Sequence, residues 1–150
     1  TRDIARQILR HRSFSFQEFS QRYADPTKDL KFETKEARLQ DTKNRQNSIV
    51  TDNEDLKNNW ETYQNEIVQI TKKAYRWAIE NGIAKEQARA VLPEGMTESR
   101  LYMNGTVRSW IHYIDLRSGN GTQKEHRDVA IACADVIEPV FPMIKEFVNV

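Results

Sequence analysis

Residues 10 to 23 read RHRSFSFQEFSQRY, and the interpretation of the whole chain depends on this stretch. After the basic triplet, apolar and polar residues alternate, which predicts an extended segment over residues 14 to 23. The period of two in a strand would place Glu18, Ser20 and Arg22 on one face. Such a face suits a phosphate monoester, because a guanidinium and a hydroxyl match its oxygens. The alternative is an ordinary solvated charge cluster.

The residues before this stretch predict an amphipathic helix over residues 2 to about 13. Its apolar side consists of Ile4, Ala5, Ile8 and Leu9. On the other side, Gln7, Arg10 and His11 stand at positions i, i+3 and i+4, so they can converge on one ligand. A helix that is merely solvated on its basic face is the alternative.

The composition restricts the class of protein. A chain of 150 residues suits one domain, so we expect a single domain over residues 1–150. A net charge of only +1 argues against a nucleic-acid partner. The single cysteine excludes an internal disulfide framework, and no apolar run is long enough to span a membrane. We therefore expect a cytoplasmic protein with no nucleic-acid, membrane or metal partner.

The rest of the chain predicts mostly helix. The clearest helix covers residues 55 to 81 and ends at Asn81-Gly82. Its apolar residues recur every three or four positions, which predicts a core face or a helix–helix interface; they are Trp60, Tyr63, Ile67, Ile70, Ala74 and Trp77. Further helices are expected over residues 85–91, 107–116 and from about 123 into the 140s. The helix over residues 107–116 is expected to bury Val107, Ile111 and Ile114. Pro139 and Pro142 are expected to break or kink the last helix.

Strand signals are few. Short extended segments are expected near residues 31–34 and 97–104, and residues 25–53 read as a long polar excursion with Leu30, Phe32 and Leu39 as its apolar anchors. This excursion is either a mobile loop over the site or a partly disordered one. The predicted class is α+β, a helix-rich single domain with a small antiparallel sheet.

The signature stretch resembles that of the flavin-dependent thymidylate synthases, the ThyX class, in which an Arg-His-Arg triplet, seven residues and a serine recur. The resemblance extends along almost the whole chain. The further matching segments are Ala88-Arg89-Ala90-Val91-Leu92-Pro93, Arg108-Ser109, Leu116-Arg117 and the pair Gln123 and Glu125. Members normally carry a further N-terminal segment, so the resemblance implies that residues 1–150 are the C-terminal major part of a ThyX-like domain.

The resemblance implies an activity and its cofactors. The class makes dTMP from dUMP, with methylenetetrahydrofolate as carbon donor and NADPH-reduced FAD as hydride source. It forms homotetramers with active sites at subunit interfaces. The implied dUMP-binding set is Gln7, Arg10, Glu18, Ser20, Gln21, Arg22, Arg89 and Arg117. The implied FAD-binding set is Arg10, His11, Arg12, Glu18, Thr106, Arg108 and His112.

Several positions depart from the family pattern, and among the implied flavin residues Thr106 and His112 stand where many members have Asn. Both can still form hydrogen bonds to flavin, although His112 could equally be a core histidine. No glycine-rich phosphate loop is present in the sequence, so FAD must be held by side chains from several segments.

The chemistry requires activation of an unreactive uracil ring. Cys133, the only thiol, lies in an apolar helix without a cationic neighbour in sequence, so we expect it to be a buried hydrophobe and not a nucleophile. Arg117 is the predicted catalytic residue, because a guanidinium can stabilise negative charge on N3 and the adjacent carbonyl oxygen. Ser20 reads as a hydrogen-bond donor to phosphate or ribose. Glu18 either orients arginines and substrate or acts as a general base.

Two other functions remain open at this point. The chain could be a non-catalytic relative that binds flavin or nucleotide, although such a relative has no need of a uracil-polarising Arg117. It could also be a helical nucleic-acid-binding domain that uses Arg6, Arg10 and Arg12, which the near-neutral charge and the nearby Glu18 oppose.

Overall fold

The computed structural model describes residues 1–29 and 31–149. The helices are α1 (Arg2–Ile8), α2 (Pro26–Asp29), α3 (Glu54–Glu80), α4 (Lys85–Ala88), α5 (Val107–Ser118) and α6 (Lys124–Ile137). Two 3₁₀ turns cover Arg89–Val91 and Pro142–Phe147. The strands are β1 (Ser15–Glu18), β2 (Arg38–Gln40), β3 (Ser48–Val50) and β4 (Leu101–Asn104). The predicted helix-rich α+β class is confirmed.

The strands among the described residues form two small sheets. β1 pairs with β4, and β2 pairs antiparallel with β3 in the register Arg38 opposite Val50 and Gln40 opposite Ser48. The β2–β3 hairpin lies in the region predicted to be a long loop, and Leu39 is exposed there, so its role as an apolar anchor was wrong. Phe32 forms an isolated antiparallel bridge with Thr97, close to the predicted strand. Leu30 lies outside the described residues.

The signature stretch is extended over only part of its predicted length. β1 ends at Glu18, and the backbone N–H groups of Tyr23 and Ala24 both donate to the carbonyl of Ser20. The Ser20 hydroxyl also accepts from the N–H of Arg22 at 3.4 Å, an arrangement in which a serine side chain supports a turn. The expectation that Ser20 and Arg22 share a strand face was therefore wrong.

The first helix is also shorter than predicted. α1 ends at Ile8, and the N–H of Arg10 and the N–H of His11 donate to Gln7 and Ile8 in single turns. Gln7, Arg10 and His11 therefore do not share one helix, and the prediction that they lie on one helix face was wrong. His11 is instead buried, with its ring edge-on to Tyr113 at 5.0 Å between centroids.

The described chain divides into two compact units. Unit 1 comprises residues 1–6, 17–37 and 51–102, and unit 2 comprises residues 7–16, 38–50 and 103–150, of which 150 is not described. Because α1, β1 and β4 each contribute residues to both units, the expectation of one domain over residues 1–150 stays a prediction.

Unit 1 is built on α3. Asn53 caps its N-terminus by accepting from the N–H of Leu56, and the predicted end is confirmed, with Gly82 following at a φ of +78°. Tyr75 and Ala78 pack with Ala88 and Leu92 to form a core cluster, with Phe32 and Ile79 packed against it. This cluster holds α4 and the following 3₁₀ turn against α3, which fixes the position of Arg89.

The apolar stripe of α3 is not in the core of the chain. Among its members Tyr63, Ile70 and Trp77 are 62%, 67% and 60% exposed, and Trp60 and Ile67 are also exposed. The face that packs against the rest of unit 1 consists of Gln64, Val68, Thr71, Tyr75 and Ala78. The prediction that the stripe is a core face was therefore wrong. The alternative prediction, that it forms a helix–helix interface, stays open.

Unit 2 is built from α5, α6 and the second 3₁₀ turn. Tyr113 and Ile114 on α5 are fully buried, as are Ala130 and Ala134 on α6 and Ile144 in the turn. The ring of Phe14 packs edge-on against Trp110 at 4.9 Å between centroids. A Cβ added at Gly105 would lie 2.5 Å from this ring, so only glycine fits at that position.

The helices of unit 2 follow the predicted pattern with small differences. α6 ends at Ile137, before Pro139, so the predicted extension of this helix into the 140s was wrong, while the predicted break near the prolines is confirmed. Ile114 is buried, but Val107 is exposed at the start of α5, so its predicted burial was wrong. No helix among the described residues is long and apolar enough to cross a membrane.

Candidate functional site

The predicted site residues fall into both units. Unit 1 contains Glu18, Ser20, Gln21, Arg22 and Arg89. Unit 2 contains Gln7, Arg10, His11, Arg12, Thr106, Arg108, His112 and Arg117.

Gln21 and Arg89 line the same cavity of unit 1. The cavity has a volume of about 430 Å³, and its other polar lining residues are Arg2, Arg6, Glu86 and Glu94. Gln21 is buried, and its Nε2 has no hydrogen-bond partner among the described residues. An unpartnered buried amide is costly, so this N–H group fits a ligand that accepts hydrogen bonds.

The arginines around this cavity are held by glutamates. The guanidinium of Arg22 lies 3.5 Å from the carboxylate of Glu86, and Arg89 donates from Nε to the Glu86 carbonyl at 3.2 Å. Arg6 forms an ion pair with Glu94. The Arg22 and Glu86 side chains are 56% and 50% exposed, so water weakens this ion pair and an anionic ligand can replace it. The lining carries three arginines and two glutamates, a net charge of +1 that favours an anion.

Glu18 lies at the end of β1 with two partners in unit 1. Its carboxylate accepts from the hydroxyl of Ser99 at 2.8 Å and lies 3.8 Å from the guanidinium of Arg2. The contact with Arg2 agrees with the interpretation in which Glu18 orients an arginine. The general-base alternative stays open.

In unit 2, Arg117 contacts His11. The Arg117 guanidinium donates from Nε to Nε2 of His11 at 2.9 Å. Burial, the charge of Arg117 and His112 lower the pKa of His11, so its imidazole is neutral and carries its proton on Nδ1. Among the described residues no carboxylate forms an ion pair with Arg117. Its positive charge is therefore uncompensated, and its other four N–H donors have no hydrogen-bond partner among the described residues.

Gln7 is held by a row of side chains in unit 2. Its Oε1 lies 3.1 Å from Nδ1 of His126, and its Nε2 donates to Oε1 of Gln123 at 2.8 Å. Gln123 in turn donates from Nε2 to the carboxylate of Glu125 at 2.8 Å. His126 is fully buried, and burial together with Arg117 and His11 lowers its pKa to about 4. Gln7 is therefore fixed by neutral groups.

The remaining predicted flavin residues are mostly exposed. Arg108 and His112 are exposed one turn apart on α5, and Arg10 and Arg12 are exposed at the start of the signature stretch. Thr106 caps α5, because its hydroxyl oxygen accepts a hydrogen bond from the N–H of Ser109 at 3.2 Å, and this contact stabilises the start of the helix. Solvent-facing guanidinium and imidazole groups are donors that suit the diphosphate of FAD, and in this respect the residues fit the cofactor.

Cys133 has the surroundings expected from the sequence. It is half-buried on α6, and burial raises the pKa of its thiol. A raised thiol pKa lowers the fraction of reactive thiolate at neutral pH.

The sequence profile of the family described as "Thymidylate synthase complementing protein" matches residues 1–143, nearly the whole chain. The chain belongs to this family. The predicted resemblance to the flavin-dependent thymidylate synthases is thereby confirmed.

Two relatives of the family are close in sequence. A "Probable flavin-dependent thymidylate synthase" of Paramecium bursaria Chlorella virus 1 is 51% identical over 144 residues, covering 96% of this chain and 65% of the relative. A "Flavin-dependent thymidylate synthase" of Synechocystis is 49% identical with the same coverage. The chain thus spans slightly less than two thirds of the length of these two relatives.

A solved structure has a similar fold. The crystal structure of the UMP/dUMP methylase PolB from Streptomyces cacaoi, bound with 5-Br UMP, aligns with a TM-score of 0.82. The alignment covers 97% of this chain and 69% of PolB at 24% sequence identity. This similarity supports the family fold in the part of the enzyme that the chain spans.

Arg2 and His126 received no role from the sequence, and Arg6 was named only in the nucleic-acid alternative. His126, Ala130 and Ala134 recur every four residues and form the buried stripe of α6. A histidine in an otherwise small, apolar stripe is the signal that could have identified His126 as a buried polar group.

Proposed function

We propose that this chain carries the major part of the active site of a flavin-dependent thymidylate synthase, which methylates dUMP to dTMP. The balanced reaction is dUMP plus methylenetetrahydrofolate plus NADPH plus a proton, giving dTMP, tetrahydrofolate and NADP⁺. Membership of the family and the names of the two relatives support this proposal. The observation that carries it is the uncompensated guanidinium of Arg117 beside a neutral His11.

Arg117 is the catalytic residue of this proposal. When hydride reaches the uracil ring, negative charge develops on N3 and the adjacent carbonyl oxygen. A guanidinium that is not already paired with a carboxylate stabilises this charge more strongly, and a donor held in place by His11 needs little reorganisation. The raised thiol pKa of Cys133 supports activation without a protein nucleophile.

The cavity of unit 1 suits the phosphate of dUMP. In this assignment Arg89 and the unpartnered amide of Gln21 donate to the phosphate oxygens. Arg22 exchanges its ion pair with Glu86 for one with the phosphate. Ser20 is placed beside Arg22 by the turn that follows β1, and its O–H can donate to the phosphate or the ribose. Gln7, Arg10 and Glu18 complete the proposed nucleotide set.

Flavin is assigned to the exposed cationic side chains. Arg10, His11, Arg12, Thr106, Arg108 and His112 of unit 2, with Glu18 of unit 1, form the proposed FAD-binding set. Reduced FAD, when bound, supplies the hydride, and NADPH restores its reduced form. The exposed Arg108 and His112 would donate to cofactor oxygens from one face of α5.

We also propose that the protein is a homotetramer with active sites shared between subunits, and that α3 forms one of its interfaces. The exposed stripe repeats at intervals of three and four residues, the spacing of a coiled-coil seam. The first half of α3, residues 54–66, carries four carboxylates and one lysine, whereas residues 67–80 carry three cations and one carboxylate. Two copies of α3 therefore attract each other when they run antiparallel.

The antiparallel arrangement also has a favoured register. If Ile67 faces Ile70 of a second copy, Trp60 faces its Trp77 and Glu66 lies beside its Lys73. A charge exchange tests this register. Glu66→Lys and Lys73→Glu should each weaken the assembly in sedimentation velocity, and the double variant should restore it. Equal behaviour of the three variants would contradict the pairing, and an intact assembly in Ile70→Glu would exclude α3 as an interface.

The activity is tested by visible absorption. The protein should show the spectrum of bound flavin, and titration with dUMP should perturb it. Turnover with methylenetetrahydrofolate and NADPH should then yield dTMP. A flavin spectrum with dUMP binding but no dTMP would identify a non-catalytic relative, and a colourless protein that cannot be reconstituted with FAD would contradict the proposal.

A further inference from the structure

The side chains that hold Gln7 have a fixed direction of donation. The row runs Glu125, Gln123, Gln7, His126, with the separations of 2.8, 2.8 and 3.1 Å given above. An ionised carboxylate can only accept, so Gln123 must turn its NH₂ group toward Glu125. The oxygen of Gln123 then faces Gln7, which must turn its own NH₂ group toward Gln123.

His126 is the last member of the row, and its tautomer follows from the orientation of Gln7. With its NH₂ group on Gln123, Gln7 presents Oε1 to Nδ1 of His126. Two acceptors facing each other would repel, so His126 must carry its proton on Nδ1 and donate to Gln7. Its Nε2 is buried without a partner among the described residues and does not compete for the proton.

The side chains of this row cannot change orientation without the loss of hydrogen bonds or the movement of packed neighbours. His126 is 0% exposed and packs against the rings of His11 and Tyr113, at 6.3 and 5.7 Å between centroids. An amide held at both ends, by His126 on its oxygen and by Gln123 on its nitrogen, has one orientation in which its remaining N–H can meet a ligand.

We propose that His126 is a positioning residue for the nucleotide: its Nδ1–H fixes the amide of Gln7 so that Gln7 binds dUMP with one preset orientation. This inference rests on the proposed function, because it takes Gln7 as a dUMP contact. Preset orientation lowers the entropic cost of binding. The effect of His126 therefore lies in dUMP affinity and not in the chemical step.

The test compares two substitutions of His126 in the whole protein. His126→Leu has a similar size but no donor, whereas His126→Asn is smaller but keeps an N–H at the position of Nδ1. His126→Leu should raise the dissociation constant for dUMP about three- to tenfold, the effect of one neutral hydrogen bond. Turnover at saturating dUMP should change less than twofold, by about the precision of the assay. His126→Asn should bind dUMP more tightly than His126→Leu.

Two further variants separate positioning from packing. In a Gln7→Ala background, His126→Leu should have no additional effect on dUMP affinity, because the residue through which it acts is gone. Asp128→Asn is the matched control, an exposed carboxylate on the same helix that pairs with Lys124, and it should leave dUMP affinity unchanged.

A measurement of the unsubstituted protein does not depend on the folding of any variant. The ¹⁵N shifts of the histidine side chains report the tautomer, and His126 should carry its proton on Nδ1 at neutral pH. A proton on Nε2 would overturn the inference.

Other outcomes also decide the question. Equal losses in His126→Leu and His126→Asn, or additive effects of His126→Leu and Gln7→Ala, would leave packing as the only role and overturn the inference while the proposed function stands. A protein that binds dUMP as tightly in His126→Leu as without substitution would do the same. Failure of the unsubstituted protein to bind dUMP would overturn the inference together with the proposed function.

Discussion

The two units hold their predicted nucleotide-binding residues in different ways. In unit 1, Arg22 and Glu86 form an ion pair in solvent, with side chains 56% and 50% exposed. In unit 2, Arg117 contacts a neutral imidazole, and Gln7 contacts the fully buried His126. Exposed ion pairs can exchange partners with an incoming phosphate, whereas buried neutral groups keep one geometry. In the proposed function, unit 1 would bind the charge of the phosphate, and unit 2 would hold Gln7 and Arg117 in one orientation.

The largest effect should come from Arg117→Lys. Lysine cannot donate from an Nε–H to His11 while presenting a planar fork to the pyrimidine, so turnover should fall at least about 100-fold. The visible spectrum should show that flavin stays bound. Arg45→Lys, in the exposed β2–β3 loop, is the control and should keep full activity. A turnover within tenfold of the unsubstituted protein would remove Arg117 from its proposed role.

The stability of the protein should fall toward acid pH, because unit 2 contains the buried His126. The pKa of His126 is lowered from the usual 6.5 to about 4, so the unfolded chain binds the proton first as pH falls. The contribution of His126 to stability is therefore complete above about pH 6.5 and is lost between about pH 6.5 and 4, by at most about 1.4 kcal/mol per pH unit for one proton.

Thermal unfolding midpoints between pH 4.5 and 7.5 measure this loss. His126→Asn does not titrate, so its midpoint should fall less steeply toward acid pH, with His11 still contributing in both proteins. Parallel pH dependence of the two proteins would mean that His126 is not buried in its neutral form.

The contribution of unit 1 to binding should depend on the phosphate group of the ligand. Arg89→Ala should raise the dissociation constant for dUMP about 10- to 100-fold, as expected for a lost hydrogen bond to a charged group. Binding of deoxyuridine, which lacks the phosphate, should not change. Added salt should weaken dUMP binding but not deoxyuridine binding, because Arg6 and Arg22 are exposed and salt screens exposed charges. Equal losses for both ligands would place Arg89 elsewhere.

The smallest effect is expected at Cys133. Because burial raises the pKa of this thiol, Cys133→Ala should keep turnover within about twofold of the unsubstituted protein. Complete loss of turnover in a folded Cys133→Ala protein, judged by its unfolding midpoint and bound flavin, would restore thiol catalysis as a possibility.

Several elements followed from the sequence because local patterns decide them. Asn53, the three- and four-residue apolar spacing and Asn81-Gly82 set the bounds of α3 within one residue of the prediction. The start of α6 likewise follows from its pattern, whereas its end at Ile137 precedes the predicted end in the 140s. The signature shared with the family was sufficient for recognition, since Arg-His-Arg and the later matches lie in order along the chain.

Other features depended on long-range contacts. Residues 14–23 have the alternation of a strand, but the Ser20 turn ends it after Glu18. The stripe of α3 has the spacing of a core face, but the core of unit 1 is built on the neighbouring face with Tyr75 and Ala78. Periodicity identifies a face that needs a partner, and it does not say whether the partner lies in the same chain.

The sequence by itself determined the family, the helix-rich class and the residue types of the site, because these depend on local spacing and on a signature within one stretch. Only the tertiary structure decided which residues meet. The contact of Arg117 with His11 joins positions 106 residues apart, and that of Gln7 with His126 joins positions 119 apart. Burial of His126 and the unpartnered amide of Gln21 arise from the packing of distant segments, which no local pattern encodes.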